Sequence, residues 1–371
     1  MNIENNSEEK YEVTPIELFF DLIYAFAFSQ LSQYLLSDIS WQGVIRTIII
    51  LLAIYMVWAY TSWAATMIRA DKSVNTHWMI LSVMFIGFVM SISVPEAFSN
   101  YGWVFITTFL IIQLGRTCWT IIFSPNIMFR NHFWRVLIWQ IISVPIWIIG
   151  ACMSGEMRIL LWLAAGSIDL LGMWIAHPLP IFRSSEEVEF DTVHLLERCR
   201  LFRLIAIGEM VFTLGAAISK AGFNYMTVVL GIVAMAEIVS LWGLTFGRFF
   251  SVVREHVENA ENPFRASYYA IDVLVIILFG IIAISVANEH IIMHPFDVPS
   301  PVLSFLLGGG PILFLLAQGW YLVKVPNIKP YMYVVCAFLI LIVSISACFF
   351  SGWVSLIATG IIITILAVLE N

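Results

Sequence analysis

Long apolar segments alternate with short polar breaks along almost the whole chain. A membrane-spanning helix needs about 20 predominantly apolar residues, and twelve segments have roughly that length. The pattern predicts an all-α polytopic membrane protein with about twelve transmembrane helices. Ser351, Gly352 and Trp353 alone separate the last two segments. The predicted spans are 15–36, 41–63, 77–95, 102–123, 134–153, 158–177, 200–219, 224–247, 267–288, 301–323, 331–350 and 352–369.

Composition agrees with a lipid environment. Of 371 residues, 61% are hydrophobic and 12% are charged, whereas about a quarter of a soluble domain is charged. A net charge of −7 argues against a nucleic-acid partner, because such partners need a basic surface. The five cysteines show no paired spacing, and no P-loop, Gly-x-Gly-x-x-Gly or Ser-His-Asp order occurs. The sequence therefore predicts no cofactor, and it gives no support to soluble-type enzymology.

Lysine and arginine are distributed unevenly between the two sides that alternating spans define. Fourteen of the eighteen fall on the side of the N-terminus. Cytoplasmic loops carry an excess of these residues, so both termini are predicted to be cytoplasmic. The fourteen are Lys10, Arg69, Lys72, Arg130, Arg135, Arg183, Arg198, Arg200, Arg203, Arg248, Arg254, Arg265, Lys324 and Lys329; Arg46, Arg158 and Lys220 lie opposite, and Arg116 lies within a span.

The longest polar connection divides the spans six and six, and the halves share short motifs. Residues 1–13 are predicted as a cytoplasmic tail, 14–180 and 200–371 as two six-helix repeats, and 181–199 as a cytoplasmic linker. Asp191 or Thr192 is expected to cap a helix that continues into the seventh span. Six spans return the chain to the same side, which predicts parallel repeats. The matched motifs are Leu18-Phe19 with Leu201-Phe202, Trp58…Thr61 with Trp242…Thr245, and Ile92-Ser93-Val94…Glu96 with Ile284-Ser285-Val286…Glu289.

The first span carries two acids one helical turn apart, Glu17 and Asp21. Glu17 has a local explanation, because Thr14-Pro15-Ile16-Glu17 reads as a capping box with proline at the first helical position. Asp21 lies about 6 Å deeper and has no such explanation. A buried carboxylate needs a cation, a hydrogen-bond donor network or a proton.

Four more ionisable residues lie deeper in the predicted spans: Arg116, Asp169, Glu209 and Glu237. A buried ion-pair network, with Arg116 bound to one of the acids, is one interpretation. One arginine cannot neutralise three carboxylates, however, and acids within a membrane mark ion or proton paths. Glu209 is the most suggestive of them, because the seventh span matches the first in the repeat.

Two further sequence patterns bear on function. Gly308-Gly309-Gly310-Pro311 predicts a break or kink in the tenth span, of the kind found at transporter sites; close helix packing through small residues is the alternative. His290 and His294 have metal-ligand spacing ahead of Asp297. No third ligand is identifiable for them, so no metal site is predicted.

The run Glu17-Leu-Phe-Phe-Asp21-Leu resembles the signature of the low temperature requirement A (LtrA) family of bacterial membrane proteins. The resemblance implies an integral inner-membrane protein linked by name to growth in the cold, and it supplies no substrate. Family members tend to carry an aspartate near Gly247 and a histidine near Asp272, so a function that needs that pair is in doubt here. The resemblance extends over Trp58…Thr61-Ser-Trp63…Asp71, Pro95-Glu96-Ala97-Phe98, Arg116, His194-Leu-Leu-Glu197-Arg198…Leu201-Phe202…Gly208-Glu209, Glu289…His294-Pro295 and Gly308-Gly309-Gly310-Pro311.

The leading hypothesis is a transporter-like or channel-like protein that moves a cation, a proton or a small solute. Asp21, Arg116, Asp169, Glu209 and Glu237 would line its path. A membrane-embedded enzyme that acts on a lipid or isoprenoid through the same carboxylates is an alternative, as is a non-transporting protein for cold adaptation. The predicted partner is the lipid bilayer of the cell membrane. The sequence leaves the transported species and the oligomeric state open.

Overall fold

The computed structural model describes residues 13–68, 73–124, 126–175, 177–178, 191–260, 263–323, 325 and 330–370, with the side chains of 263–269 left aside. Throughout these ranges the regular structure is helical, and no strand occurs in them. Several residues used above for the charge distribution or the resemblance lie outside the described residues: Lys10, Arg69, Asp71, Lys72, Arg183, Lys324 and Lys329. The side chain of Arg265 does too.

Within the described ranges there are thirteen α-helices and two short 3₁₀ helices, Val94–Glu96 and Ala347–Phe349. The α-helices are α1 Pro15–Ser37, α2 Trp41–Met67, α3 Val74–Ile92, α4 Gly102–Phe123, α5 Ile127–Cys152, α6 Gly155–Trp174, α7 Thr192–Ala221, α8 Tyr225–Phe246, α9 Arg248–Glu258, α10 Pro263–Met293, α11 Pro301–Val323, α12 Tyr331–Ser346 and α13 Gly352–Glu370.

The predicted fold class is confirmed. Each of the twelve predicted spans corresponds to one helix, and eleven helical segments are long and apolar enough to cross a membrane by length and composition, with α8 and α9 counted together. α1 is not among the eleven; it carries Glu17 and Asp21 and packs against other helices. The last two spans are separate helices, with a 3₁₀ turn between α12 and α13.

Several helices are longer than their predicted spans, and one helix was not predicted. α7 begins at Thr192, with the side chain of Asp191 accepting a hydrogen bond from the His194 amide at 2.9 Å. α10 is 31 residues long and extends beyond the predicted span at both ends. The short helix α9 was not predicted; its apolar residues Phe249, Phe250, Val253 and Val257 recur at helical spacing and are buried, which gives it one apolar face.

The helices have the same order of neighbours in both halves of the chain. In the first half α1 packs on α2 and α3, α2 on α6, and α3 to α6 pack in sequence. In the second half α7 packs on α8 and α10, α8 on α13, and α10 to α13 pack in sequence. The threonines of the matched motifs have corresponding partners. Arg116 of α4 donates to Thr61, and Gln318 of α11 donates to Thr245. The correspondence supports the predicted duplication, and the parallel repeat itself stays a prediction.

The two ends of the bundle can be told from contacts between helix termini. We call the end where α1 begins the proximal end, and the end where α1 finishes the distal end. The starts of α1 and α7 meet at the proximal end through Glu17 and Arg198. The ends of α1, α7 and α10 meet at the distal end through Gln33, Lys220 and Glu289. α2 and α10 are the most buried spans, because 83% and 89% of the residues in their apolar 18-residue windows are buried, and they form the centre of the bundle.

The glycine run does not break the helix, because α11 continues from Pro301 through Gly309 and Pro311 to Val323; a kink there stays a prediction. The glycines instead permit close helix contact. A Cβ added at Gly310 would lie 2.9 Å from the Gly280 carbonyl of α10, and one added at Gly280 would lie 2.8 Å from the Gly310 carbonyl. Small residues let helix backbones approach in this way.

We expect Gly310→Ala to destabilise the protein by about 1–3 kcal/mol, because the new methyl group overlaps the α10 backbone. Gly208→Ala is the matched control, since a Cβ there meets nothing within 4 Å and alanine favours a helix by up to about 1 kcal/mol. Unfolding of the purified variants in mixed micelles measures both. Equal stability of the two variants would contradict the close α10–α11 contact.

Candidate functional site

The start of α1 places Glu17 in a fixed position. Thr14 is the N-cap and Pro15 the first helical residue, and the capping box predicted from the sequence is present. The Thr14 backbone amide and hydroxyl donate to Glu17 Oε2 at 2.9 and 2.8 Å. The cap therefore occupies one carboxylate oxygen and leaves Oε1 for another donor.

That donor is Arg198 in the second turn of α7. Its Nη1 donates to Glu17 Oε1 at 2.8 Å, and its Nη2 donates to Asp21 Oδ1 at 2.8 Å. Nε approaches Asp21 Oδ2 at 3.4 Å. All three side chains are buried. A buried guanidinium that bridges two carboxylates is a strong, directional ion pair, and it joins the first helix of each half.

Two more side chains complete this group, which we call the arginine cluster (Glu17, Asp21, Trp58, His194 and Arg198). The Trp58 indole donates to Asp21 Oδ1 at 2.8 Å. His194 Nε2 lies 3.4 Å from Glu17 Oε2, and its Nδ1 lies 3.0 Å from the Thr66 hydroxyl. With His194 neutral the cluster carries one net negative charge, and with His194 protonated it is neutral.

Sequence reasoning identified Asp21 as the acid to explain but did not identify its cation. The sequence predicts a cytoplasmic linker that includes Arg198, and it offers Arg116 as a buried cation. A signal was available in the spacing, because His194, Arg198 and Phe202 follow one another every four residues and so share a helix face. That face matches the Glu17 and Asp21 face of α1.

Aromatic rings pack on the distal side of the arginine cluster. The Phe202 ring stacks on Trp58 with ring centres 4.1 Å apart and planes at 8°. Phe28 lies 5.3 Å and Tyr24 6.0 Å from the Phe202 ring. We call Tyr24, Phe28, Trp58 and Phe202 the aromatic layer. It separates the cluster from the middle of the bundle.

Glu209 lies beyond the aromatic layer and does not contact Asp21. It lies eleven positions along α7 from Arg198 and eleven from Lys220, which places it about 16 Å along the helix from each. Its carboxylate accepts a hydrogen bond from Thr213 at 3.3 Å, and the Ser29 hydroxyl is a further partner. No described cation forms an ion pair with Glu209.

A small cavity lies beside Glu209, where α1, α7 and α10 meet. It has room for about one water molecule. The Ser285 hydroxyl lines it and has no partner among the described residues. The remaining lining residues are Phe28, Ser32, Ala206, Met210, Leu278, Ile281 and Ile282.

Polar side chains continue from this cavity to the distal end. Ser32 is followed on α1 by Gln33, whose amide donates to Glu289 Oε2 at 3.3 Å. Glu289 lies one turn beyond Ser285 on α10 and is buried. Lys220 Nζ donates to Glu289 Oε1 at 3.1 Å, and its side chain is 53% exposed. We call Glu209, Ser32, Ser285, Gln33, Glu289 and Lys220 the polar column.

The other predicted acids lie apart from the cavity. Asp169 accepts hydrogen bonds from the Trp147 indole at 2.9 Å and from Ser143, which joins α6 to α5. Glu237 of α8 accepts from Asn288 of α10 at 2.8 Å. Glu197 pairs with Arg200 near the surface. Glu96 is exposed at the end of its 3₁₀ turn.

Arg116 is buried in α4 and pairs with none of the predicted acids. Its described contacts are the Val57 carbonyl, the Thr61 hydroxyl, the Gln113 side-chain oxygen and the Tyr60 ring. The alternative interpretation, in which Arg116 forms an ion pair with one of the deep acids, is therefore wrong. At the positions that depart from the family pattern, Gly247 separates α8 from α9, and Asp272 Oδ1 has no partner among the described residues.

Comparison with known proteins places the chain in a family without supplying a substrate. The sequence model of the family described as bacterial low temperature requirement A protein (LtrA) matches residues 12–368. A curated relative, the uncharacterized protein RA0937 of Rhizobium meliloti (strain 1021), is 27% identical over 373 residues, which covers 95% of this chain and 88% of the relative. No solved structure matches the chain.

We expect Arg198→Gln to destabilise the protein strongly. Two buried carboxylates lose their cation, so we expect a loss of about 3–5 kcal/mol in the free energy of unfolding. The triple variant Glu17→Gln, Asp21→Asn, Arg198→Gln removes the unpaired charges and is expected to recover part of that loss.

Unfolding in mixed micelles compares these variants with Arg200→Gln. Arg200 pairs with Glu197 where both side chains are about a third exposed, so its loss is expected to cost no more than about 1 kcal/mol. Equal effects of the two single substitutions would show that the arginine cluster does not hold the halves together.

Proposed function

This chain belongs to the low temperature requirement A family, and we propose that it moves a proton or a small cation across the membrane with Glu209 as the exchange site. The main support for this proposal is the cavity beside Glu209. The cavity lies where a helix of the first half meets two helices of the second half. The cavity holds about one water molecule, and a proton or a small dehydrated ion fits there better than an organic solute.

Glu209 suits this role because its described partners are hydroxyl groups only. An ionised carboxylate in the membrane interior is costly without a counter-ion. Glu209 must therefore hold a proton or a cation when the cavity is dry, and it can release either when water enters. The arginine-bound Asp21 has no such freedom, because Arg198 and Trp58 occupy its oxygens.

The polar column supplies a route on one side of the exchange site. Ser32 and Ser285 line the cavity, and Gln33, Glu289 and Lys220 continue towards the distal surface. Hydroxyl, amide and carboxylate groups that follow one another along α1 and α10 can pass a proton, or can replace the water molecules of an ion one after another. With the orientation predicted from the charge distribution, this end would face away from the cytoplasm.

The proximal side of the exchange site is closed by the aromatic layer and the arginine cluster. Phe28 lines the cavity and packs on Phe202, which in turn stacks on Trp58. The Arg198 ion pair lies on the other side of these rings. Transport by alternating access would require α1 and α7 to separate here while the polar column closes. In this proposal the cluster is the proximal gate, and Asp21 holds the gate rather than the transported ion.

Replacement of Glu209 tests the assignment. In proteoliposomes that carry a potassium diffusion potential and an internal pH dye, wild-type protein is expected to dissipate an imposed proton gradient. Glu209→Gln keeps the shape and removes the ionisable group, so we expect the flux to fall by about tenfold or more. Sodium, potassium and lithium gradients, measured with the same vesicles, distinguish proton movement from cation movement.

The matched control is Asp169→Asn, a deep acid of the first half that is bonded to Trp147 and lies away from the cavity. It should keep the wild-type flux, because an amide oxygen still accepts the indole hydrogen bond. Wild-type flux in Glu209→Gln, or no flux of any of the four cations with the wild-type protein, would refute the proposal.

A further inference from the structure

His194 contacts the carboxylate oxygen of Glu17 that Arg198 does not bind. Its Nε2 lies 3.4 Å from Glu17 Oε2, whereas Arg198 Nη1 donates to Glu17 Oε1. The side chains of His194 and Glu17 are both fully buried. Imidazole is the side chain that ordinarily gains or loses a charge between about pH 5 and 8. A histidine within ion-pair distance of a buried carboxylate therefore makes the charge of the arginine cluster depend on pH.

The Thr66 hydroxyl fixes which ring nitrogen of His194 carries the hydrogen when the ring is neutral. Thr66 Oγ1 lies 3.0 Å from His194 Nδ1, and it donates its single hydrogen to the Ser62 carbonyl at 2.9 Å. Oγ1 therefore accepts a hydrogen bond from Nδ1. Since a neutral imidazole has one N–H group, its Nε2 then presents a lone pair to Glu17 Oε2. Only the protonated ring donates to that oxygen.

Protonation of His194 also removes the net charge of the arginine cluster. The carboxylates of Glu17 and Asp21 outnumber the guanidinium of Arg198 by one, and an imidazolium supplies the missing positive charge. An uncompensated buried charge is costly, and a hydrogen bond between two charged groups is stronger than one between neutral groups. The contact between α1 and α7 is therefore tightest at low pH, and it loosens as the pH rises and His194 loses its proton.

Described groups of three helices face His194. α1 contributes Glu17 and, behind it, Asp21, while α2 contributes the Thr66 hydroxyl and α7 itself contributes Arg198 one turn further on. The other described charged groups on the proximal parts of the helices around α7 have surroundings of their own. These are Asp191 at the cap of α7, Glu197 and Arg200 in their ion pair, Arg203 at the Cys199 carbonyl, Glu237 at Asn288, Asp272 on α10, and Arg248, Arg254, Glu255, His256 and Glu258 on the exposed face of α9.

We propose that His194 is the proton-binding residue that regulates the proximal gate, which it closes when protonated and releases when neutral. The role as a gate rests on the proposed transport function. A pH-dependent contact between α1 and α7 is a property of the folded protein, however, and it can be measured without any flux. With the orientation predicted from the charge distribution, the proximal end faces the cytoplasm, so the gate loosens as the cytoplasm becomes alkaline.

Hydrogen–deuterium exchange of the purified full-length protein in mixed micelles, at about pH 6 and about pH 8, tests this regulation. Exchange rates are divided by those of unfolded peptides of the same sequence at the same pH, which removes the intrinsic effect of pH. In the wild type we expect the corrected exchange of the first turns of α1 and α7 to rise by about tenfold at the higher pH, because a charge-assisted hydrogen bond is lost. Peptides from α12 should show no such rise.

Two substitutions of His194 remove the titration and keep one contact each. His194→Asn leaves a side-chain amide near the position of Nδ1, within reach of Thr66, and His194→Gln leaves one near the position of Nε2, within reach of Glu17. Neither amide takes up a proton in this pH range. The corrected exchange should therefore be equal at the two pH values, at the high level of the wild type. Either variant suffices if the other fails to fold.

His77→Gln is the matched control. His77 lies at the proximal start of α3, where its Nδ1 bonds to the Ser73 carbonyl at 3.1 Å. It is thus a histidine at the same end of the bundle that contacts a carbonyl instead of a carboxylate. The variant should keep the wild-type rise in exchange.

A rise in the wild type and in His77→Gln that is absent from the folded variants of His194 supports the regulation. No rise in the wild type, or an equal rise in a folded variant of His194, overturns it. Flux is measured separately in proteoliposomes. Flux that depends on Glu209, together with exchange that does not depend on pH, refutes the regulation alone. Exchange that depends on pH and His194 in a protein without flux refutes the transport function and leaves the pH-dependent contact between α1 and α7.

Discussion

The bidentate contact of Arg198 with Glu17 and Asp21 is the interaction on which the arrangement of the two halves depends. It connects the first turns of α1 and α7 at the proximal end, in a place where each group alone would be costly to bury. Capping by Thr14, the indole of Trp58 and the position of His194 complete the hydrogen bonds of the two acids. Phe202 then stacks on Trp58, so packing of the aromatic layer follows from the position of the same ion pair.

The intramembrane acids fall into two groups once their partners are known. Asp21, Asp169 and Glu237 each accept a hydrogen bond from a nitrogen donor on another helix, which is the arrangement expected of acids that hold helices together. Glu209 has hydroxyl partners only and lies against a cavity. The contrast restricts the proposed exchange site to Glu209, whereas the sequence hypothesis placed Asp21, Asp169 and Glu237 on the path as well. Arg116 is a buried cation whose described partners are neutral, as are those of Arg158 and Arg203.

Close packing at the centre limits where motion can occur. α10 and α11 approach through Gly280 and Gly310 so closely that no side chain fits between their backbones, and such helices move together. The contact between α1 and α7 is different, because side chains make it: the Arg198 ion pair, the aromatic rings and the hydrogen bond between Ser29 and Glu209. A two-state motion of the two halves would therefore separate at the arginine cluster and leave the α10–α11 pair intact, in agreement with its proposed role as the proximal gate.

The sequence by itself determined the helical membrane fold, the cap of α1 and the family. These features depend on segment length, hydropathy and residue spacing, which are local properties of the chain. It also showed that Asp21 needs a partner. The tertiary structure alone decided that this partner is Arg198, 177 residues away, that Glu209 lines a cavity, that Arg116 meets no acid, and that the glycine run is a packing surface in an unbroken helix. Those outcomes depend on which helix faces are brought together, and the spacing of residues along one chain does not fix the rotation and neighbours of each helix.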